Sequence, residues 1–404
     1  MMGKKLIKLL FIKMVVFSFF VTVQEVHAEG NEGKSVQYHS VKEIVKKDLE
    51  FPDRMARFVF DSGFTFQYPD AVRGIYVTGN SAGGERMNSL LELIDSTDLN
   101  AMVIDIKDDH GYLTYKPEDD SPFYNISQNY IKNTEDLMKT LEEKQIYPIA
   151  RIVVFKDTVL AEKKPELSFK TADGKVWKNR RGEAFVNPFL KEVWDYNVAI
   201  AEKAAKMGFK EIQFDYVRFP EGFERRDEEL KYSVGEYEGG DGDNVQRRVT
   251  AVADFVAYAR EQLAPYDVDV SVDIFGYAAT IPEAPGIGQN FLKISENVDV
   301  ISSMIYPSHW TSYFGIDKPD LYPYELVDAY AKVENELLGQ LNTPPVSRPW
   351  IQDFTASWLG AGNYKSYGKD EVEAQIKALN DNGINEYLLW NASNRYTPGV
   401  NYTP

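Results

Sequence analysis

Three aspartates lie inside otherwise apolar, β-branched segments of this 404-residue chain: Asp105 in AMVIDIKDDHGY, Asp215 in EIQFDYVRFP and Asp273 in VDVSVDIFGY. Side chains alternate between the two faces of a strand, so Asp105 is predicted to share its face with Lys107. An ionisable group in an apolar strand is costly unless it is paired or solvated. The three carboxyl groups are therefore predicted to reach a common solvated site.

Carboxyl groups held close together can carry out acid/base chemistry on a bond between them. Hydrolysis of a glycosidic bond needs one carboxylic acid to protonate the leaving oxygen and one carboxylate to attack or to activate water. Asp215 and Asp273 are the predicted pair, and Asp105 is a third predicted catalytic carboxylate. The separation of the pair, which would decide between retention and inversion, stays open at this point.

Three cations accompany these carboxylates and are predicted to contact the substrate: Lys107, Arg151 and Arg218. The alternative interpretation is structural pairing, in which Asp105 pairs with Lys107 or Arg151 and Asp215 pairs with Arg218.

Aromatic and amide side chains recur after later strands. The apolar C–H faces of a pyranose ring stack on aromatic rings, and its hydroxyl groups need polar partners. The predicted substrate-binding residues of this kind are Tyr306, His309 and Trp310 in MIYPSHW, Gln352 and Asp353 in WIQDF, and Trp390 and Asn391 in LLWNASNRY.

Alternating strands and helices must position these residues, and the pattern predicts a single (β/α)8 barrel over residues 70–404. Catalytic residues of such barrels lie at the carboxyl ends of the strands. An open, doubly wound sheet is the alternative, but the turn after the first strand, YVTGNSAGG, lacks the GxGxxG pattern. The predicted strands are 72–78, 101–107, 147–155, 211–217, 269–275, 299–306, 349–354 and 386–390, and the predicted helices are 85–94, 134–144, 191–207, 245–263, 290–297, 324–337 and 369–382.

Two long insertions are predicted on the same face of the barrel, one after the third strand and one over residues 221–244. Connections of this length are usually functional lids or disordered segments. Both interpretations stay open for residues 221–244.

The N-terminus predicts export. Residues 1–28 combine lysines, an apolar run and the sequence Val26-His27-Ala28, as in a cleaved signal peptide. An uncleaved anchor is the alternative. Residues 29–69 are predicted to be a polar leader with one helix over 41–49, and the mature chain is predicted to be secreted with no membrane span.

The composition excludes several classes of protein. The chain has no cysteine, which excludes disulfides and thiol catalysis. The formal charge is −17, and it becomes −20 without residues 1–28, which carry four lysines and one glutamate. Such charge disfavours nucleic acid and favours a neutral or cationic substrate, although solubility alone would also explain it. No cofactor is predicted, and Asp108, Asp109 and His110 give only a weak metal-binding pattern.

Eight short motifs in order resemble the bacterial putative glycoside hydrolase domain family over roughly residues 70–400: VRGIYVTGN, IDIKDDHG, ARIVVFKD, FDYVRFP, VDIFGY, MIYPSHW, WIQDF and LLWNASNRY. The resemblance implies a barrel distantly related to α-amylase-type enzymes and a polysaccharide substrate. By that analogy Asp215 would be the nucleophile and Asp273 the acid/base. The chain departs from α-amylases in having Gln213 where they have Arg, and Asp273 where they have Glu.

The resulting expectation is an exported glycoside hydrolase that acts on an extracellular or cell-wall polysaccharide. The alternative is a catalytically silent barrel that binds glycan during envelope or matrix assembly.

Overall fold

A computed structural model describes residues 59–239 and 242–404, and within them eight strand positions form a closed parallel ring. The first strand pairs with both the second and the last, which closes the ring and confirms the predicted barrel. Two short strands share the seventh position. The ring consists of β1 (Arg73–Val77), β2 (Ala101–Lys107), β5 (Tyr147–Val153), β6 (Glu211–Asp215), β7 (Asp269–Phe275), β8 (Val300–Met304), β9 (Val346–Ser347) with β10 (Trp350–Gln352), and β11 (Tyr387–Trp390).

A small side pair, β3 (Leu113–Tyr115) and β4 (Ser127–Ile131), extends the sheet from β2 and was not predicted. Helices follow the ring strands. The seven predicted helices are present with similar bounds, and two short helices, over 79–82 and 158–163, were not predicted. They are α1 (Gly79–Ala82), α2 (Arg86–Asp95), α3 (Thr134–Glu143), α4 (Thr158–Lys163), α5 (Lys191–Met207), α6 (Asn244–Leu263), α7 (Phe291–Ser295), α8 (Pro323–Leu338) and α9 (Lys369–Asp381).

Local sequence signals set the ends of these helices. Asn133 begins α3 by accepting hydrogen bonds from the backbone N–H groups of Glu135 and Asp136. Gly208 ends α5 at φ 111°, a left-handed conformation that glycine adopts without steric cost. The helix predicted over 41–49 lies outside the described residues.

The core has two layers. The larger lies between strands and helices and is apolar, as expected where helices cover a parallel sheet. The smaller fills the barrel interior with side chains such as Val103, Ile149, Trp350 and Leu388. The interior faces of β6 and β7 are polar, so the barrel interior itself carries the ionisable groups.

A buried ion-pair network closes the amino-terminal end of the barrel. Arg348, between β9 and β10, pairs with Glu211 at 2.6 Å and with Glu386 at 2.7 Å. The hydroxyl of Tyr68 accepts from Arg348 at 2.9 Å and donates to Glu386 at 2.8 Å. Tyr68 belongs to the segment before β1, so this segment is tied to the floor of the barrel.

The two long insertions pack against each other at the opposite end. The backbones of Lys170 and Lys231 exchange two hydrogen bonds, of 3.0 and 2.8 Å. Phe223 is fully buried beside Phe169 and Tyr232. The described part of residues 221–244 is therefore packed onto the neighbouring insertion. No helix within residues 59–239 and 242–404 has the length and apolar character needed to cross a membrane.

Candidate active site

Asp215 and Asp273 lie side by side at the carboxyl ends of neighbouring strands. The parallel register pairs Phe214 of β6 with Val272 of β7, so the next residue on each strand is one of the two aspartates. Neighbouring strands are about 4.8 Å apart. Asp215 is 5% exposed and Asp273 is 1% exposed. The structure thus brings together the pair predicted from the sequence.

The environment of Asp273 favours its protonated form. Burial raises the pKa of Asp273 well above its ordinary value, and the charge of Asp215 raises it further. The indole N–H of Trp350 donates to Asp273 at 2.7 Å and, together with Arg151, opposes that rise. Asp273 therefore has the character of a proton donor.

Arg151 of β5 gathers the other carboxylates of the site. Its Nε and Nη2 atoms donate to Asp215 at 2.9 and 2.5 Å, and Nη1 donates to Asp105 at 2.7 Å. Nη2 also donates to Asp109 at 2.8 Å. Charge-assisted bonds of this kind are short and directional, so Arg151 fixes the orientation of the Asp215 carboxyl group.

Asp105 contacts both Arg151 and Tyr76 through its carboxyl group. One of its oxygens accepts from Arg151, and the other accepts from the hydroxyl of Tyr76 at 2.6 Å. Burial raises the pKa of Asp105 to about 6, and Arg151 opposes the rise. Since Asp105 is buried and fully bonded, its geometry is that of a residue that positions Arg151.

Tyr216 lies at the mouth in a strained conformation. Its φ is 53°, in the left-handed region that bulky residues rarely adopt. In this conformation its backbone N–H donates to Asp215 at 2.6 Å. Lys156 lies 4.1 Å from the centroid of the Tyr216 ring and pairs with Asp109 at 2.9 Å. The strain therefore serves to orient the carboxylate of Asp215.

Arg218 does not pair with Asp215. Its guanidinium donates to the carbonyl of Phe219 at 3.1 Å and contacts Glu221 at 3.3 Å. It also lies over the rings of Tyr216 and Phe275. Of the structural pairings considered from the sequence, the one between Asp105 and Arg151 is present. Asp215 pairs with the same arginine and not with Arg218.

The inward orientation predicted for Lys107 is wrong. A β-bulge follows Asp105, because Asp105 pairs with Arg151 and Lys107 already pairs with Ile152. The extra residue turns the lysine towards the helix layer, where it pairs with Asp157 at 2.6 Å and donates to Asn197 of α5. Lys107 is fully buried, so it is not available to a substrate.

Some residues predicted to bind substrate are bonded within the loops. The side chain of Gln352 bonds to Ser308 and Asp320. Asp353 accepts twice from Thr397, and Asn391 donates to the carbonyl of Asp353. These bonds hold the loops of the rim to one another.

The predicted aromatic residues divide into two groups. Tyr306, His309 and Trp390 belong to one set of contacting rings at the mouth. Trp310 instead packs against Tyr330 of α8, in the helix layer.

Sequence reasoning missed several residues of the site. Tyr76 and Tyr216 orient Asp105 and Asp215, but tyrosines in or beside a strand are far more often plain core residues. Outside this site, sequence reasoning also did not single out Trp358, which is 64% exposed in the loop after β10. That loop, TASWLGAGN, has no periodic pattern to mark the residue.

The weak metal-binding pattern at Asp108 and Asp109 has another use. Asp108 accepts three backbone hydrogen bonds, from His110, Gly111 and Tyr112. Asp109 pairs with Arg151 and Lys156. Across residues 59–239 and 242–404, no group of three or more His, Asp or Glu side chains is arranged to hold a metal ion.

Comparison with solved structures places this site in a known fold. The chain is similar to the PgaB (BpsB) glycoside hydrolase domain from Bordetella bronchiseptica, with 15% identity, coverage of 81% of this chain and 95% of that chain, and a TM-score of 0.54. It is similar to an α-amylase from Lactobacillus plantarum, with 12% identity, coverage of 80% and 71%, and a TM-score of 0.50. At these identities the likeness shows a shared barrel fold.

A hypothetical protein from Ruminiclostridium thermocellum is 35% identical, with coverage of 49% of this chain and 96% of that chain and a TM-score of 0.42. A search of curated proteins found no match. The family model described as "Putative glycosyl hydrolase domain" matches residues 74–396, which is well over half of the chain and includes Asp105, Asp215 and Asp273. The chain therefore belongs to this glycosyl hydrolase family.

Proposed function

We propose that the protein is an exported glycoside hydrolase that cleaves O-glycosidic bonds of an extracellular or cell-wall polysaccharide, with Asp215 as nucleophile and Asp273 as acid/base. One observation carries the proposal. Two carboxyl groups lie on neighbouring strands in opposite environments, Asp215 bound by Arg151 and Asp273 buried beside Trp350. Environments that separate the protonation states of two nearby carboxyl groups are typical of glycosidases.

The proposed chemistry follows from these two environments. Asp273 gives its proton to the glycosidic oxygen while Asp215 attacks the anomeric carbon, so the aglycone leaves and a glycosyl ester forms on Asp215. Asp273, now ionised, takes a proton from water, and the resulting hydroxide cleaves the ester and restores both residues. Carboxyl groups about 5 to 5.5 Å apart suit this retaining route, and the spacing of neighbouring strands favours it.

The first test is the release of reducing ends from a panel of neutral, amino-sugar and cell-wall glycans. We expect Asp215→Asn and Asp273→Asn each to lower turnover by at least about 10²-fold in a folded protein. Asp267→Asn is the matched control, since Asp267 precedes the same strand β7 at the opposite end of the barrel and already has the φ of 51° that asparagine tolerates.

A second candidate function is glycan binding without cleavage. It is favoured by the fact that both carboxyl groups are already bonded within the protein, Asp215 to Arg151 and Tyr216 and Asp273 to Trp350. Binding of a glycan with no release of reducing ends, unaltered by Asp215→Asn, would support this function and contradict the hydrolase.

A further inference from the structure

Trp358 is the most exposed large hydrophobic side chain in the described residues, at 64%. It lies in the loop after β10, on the carboxyl-end face of the barrel. Its ring stacks on that of Phe354 at 5.8 Å and 21°, which supports the indole from the protein side. An exposed indole held in this way offers a flat apolar surface to a ligand.

A continuous series of ring contacts leads from Trp358 to the catalytic carboxylates. Phe354 contacts Tyr306 at 6.0 Å, and Tyr306 contacts Trp390 at 6.4 Å. Arg151, which holds Asp215, lies 5.6 Å from the centroid of the Trp390 ring. The exposed ring is therefore the outer end of an aromatic wall whose inner end is the active site.

His309 completes the outer part of this wall. Its ring meets those of Phe354 and Trp358 edge to face at 6.3 and 6.4 Å, and its Nδ1 atom lies 3.1 Å from the hydroxyl of Ser308. The cluster thus combines a stacking surface with hydrogen-bonding groups, which is the combination that a pyranose ring requires.

We propose that Trp358, Phe354 and His309 form an outer subsite that binds a pyranose ring of the glycan several residues away from the bond that is cleaved. The effect of the subsite on KM rests on the proposed hydrolase function, whereas its effect on glycan binding can be measured without cleavage. Its consequence is selection for chain length, since a short oligosaccharide that fills the inner site cannot reach Trp358.

The test uses the full-length mature protein and oligosaccharides of increasing length from whichever glycan responds in the panel. We expect Trp358→Ala to raise KM on the order of tenfold for the longest oligosaccharide, and to leave kcat and KM for the shortest cleaved one unchanged. Trp358→Phe should recover most of the loss. Tyr322→Ala, which removes another exposed aromatic ring outside the series, is the control.

A second measurement separates this proposal from the hydrolase function. The Kd of the long oligosaccharide is measured by calorimetric titration of the Asp215→Asn variant, with and without the additional substitution Trp358→Ala. We expect Trp358→Ala to raise this Kd by about the same factor as it raises KM. If no glycan is cleaved but binding depends on Trp358, the hydrolase function is overturned and the subsite stands. Equal effects of Trp358→Ala on short and long chains, no effect on either, or no glycan binding by the parent protein would overturn the subsite.

Discussion

One hydrogen bond that opposes the raised pKa of Asp273 can be removed by substitution. Trp350 donates to the Asp273 carboxyl at 2.7 Å and favours its ionised form, against the burial that raises its pKa. Loss of this donor should raise the pKa of Asp273 further. A general acid works only while protonated, so activity falls as pH rises through this pKa.

We therefore expect Trp350→Phe to move the alkaline limb of the kcat/KM profile to higher pH, because the ionised form of Asp273 loses a hydrogen-bond donor. Trp310→Phe, at a half-buried tryptophan in the helix layer, should leave the limb in place. A limb that stays fixed or moves to lower pH in Trp350→Phe would show that Asp273 is not the acid.

At the scale of residues, the alternation of side chains along each strand was enough to predict that Asp105, Asp215 and Asp273 reach a common site. The same alternation gave the wrong orientation for Lys107, because a β-bulge adds one residue to the strand and the sequence does not show where the bulge lies. Arg151 was predicted to contact the substrate, with pairing to Asp105 as the alternative. Arg151 donates hydrogen bonds to Asp105, Asp109 and Asp215. These contacts join different segments of the chain, so the pattern within one strand cannot predict them.

At the scale of elements, the network around Arg348 holds the floor of the barrel together. Removing one partner of a buried ion pair leaves an uncompensated charge. We expect Arg348→Met to lower the free energy of unfolding by about 3 to 5 kcal/mol, because Glu211 and Glu386 lose their shared cation. Urea denaturation of the variant and the parent protein measures this.

Arg260→Met is the control for that experiment, since Arg260 is half-exposed and pairs with Asp299 at the surface. Its cost should be about 0 to 1 kcal/mol. Folded Arg348→Met should keep its turnover, since the network lies at the opposite end of the barrel from Asp215. A loss below 1 kcal/mol would mean that the floor of the barrel tolerates the loss of the cation that Glu211 and Glu386 share.

Long elements were the most predictable. The helix predicted over 191–207 has the bounds of α5, and the strands predicted over 101–107 and 269–275 have those of β2 and β7. The side pair of β3 and β4 was missed because β3 has only three residues and β4, SQNYI, is mostly polar and only partly buried. Neither segment shows the apolar run of a ring strand. The strand predicted for the seventh position, 349–354, covers β10 but not β9, which lies before Arg348 and Pro349.

At the scale of the whole molecule, the proposed export predicts the residue at which the mature chain begins. Cleavage after Ala28 would leave Glu29 as the first residue. We expect the protein recovered outside the cells to begin at Glu29, as measured by its intact mass and by N-terminal sequencing. We expect Ala28→Arg to block this cleavage. A protein that keeps residues 1–28 and sediments with membranes would instead be anchored.

The ring of strands closes through contacts between the two ends of the described fold. Asn394 and Tyr396, just past β11, both donate to the carbonyl of Tyr76 in β1, across 318 and 320 residues, and Trp390 stacks on the ring of Tyr76 at 4.1 Å. Because Tyr76 also orients Asp105, a chain still emerging from a ribosome or a translocation channel cannot complete its active site. Contacts of such high contact order form slowly and late, so catalytic competence should appear only when the last strand has arrived.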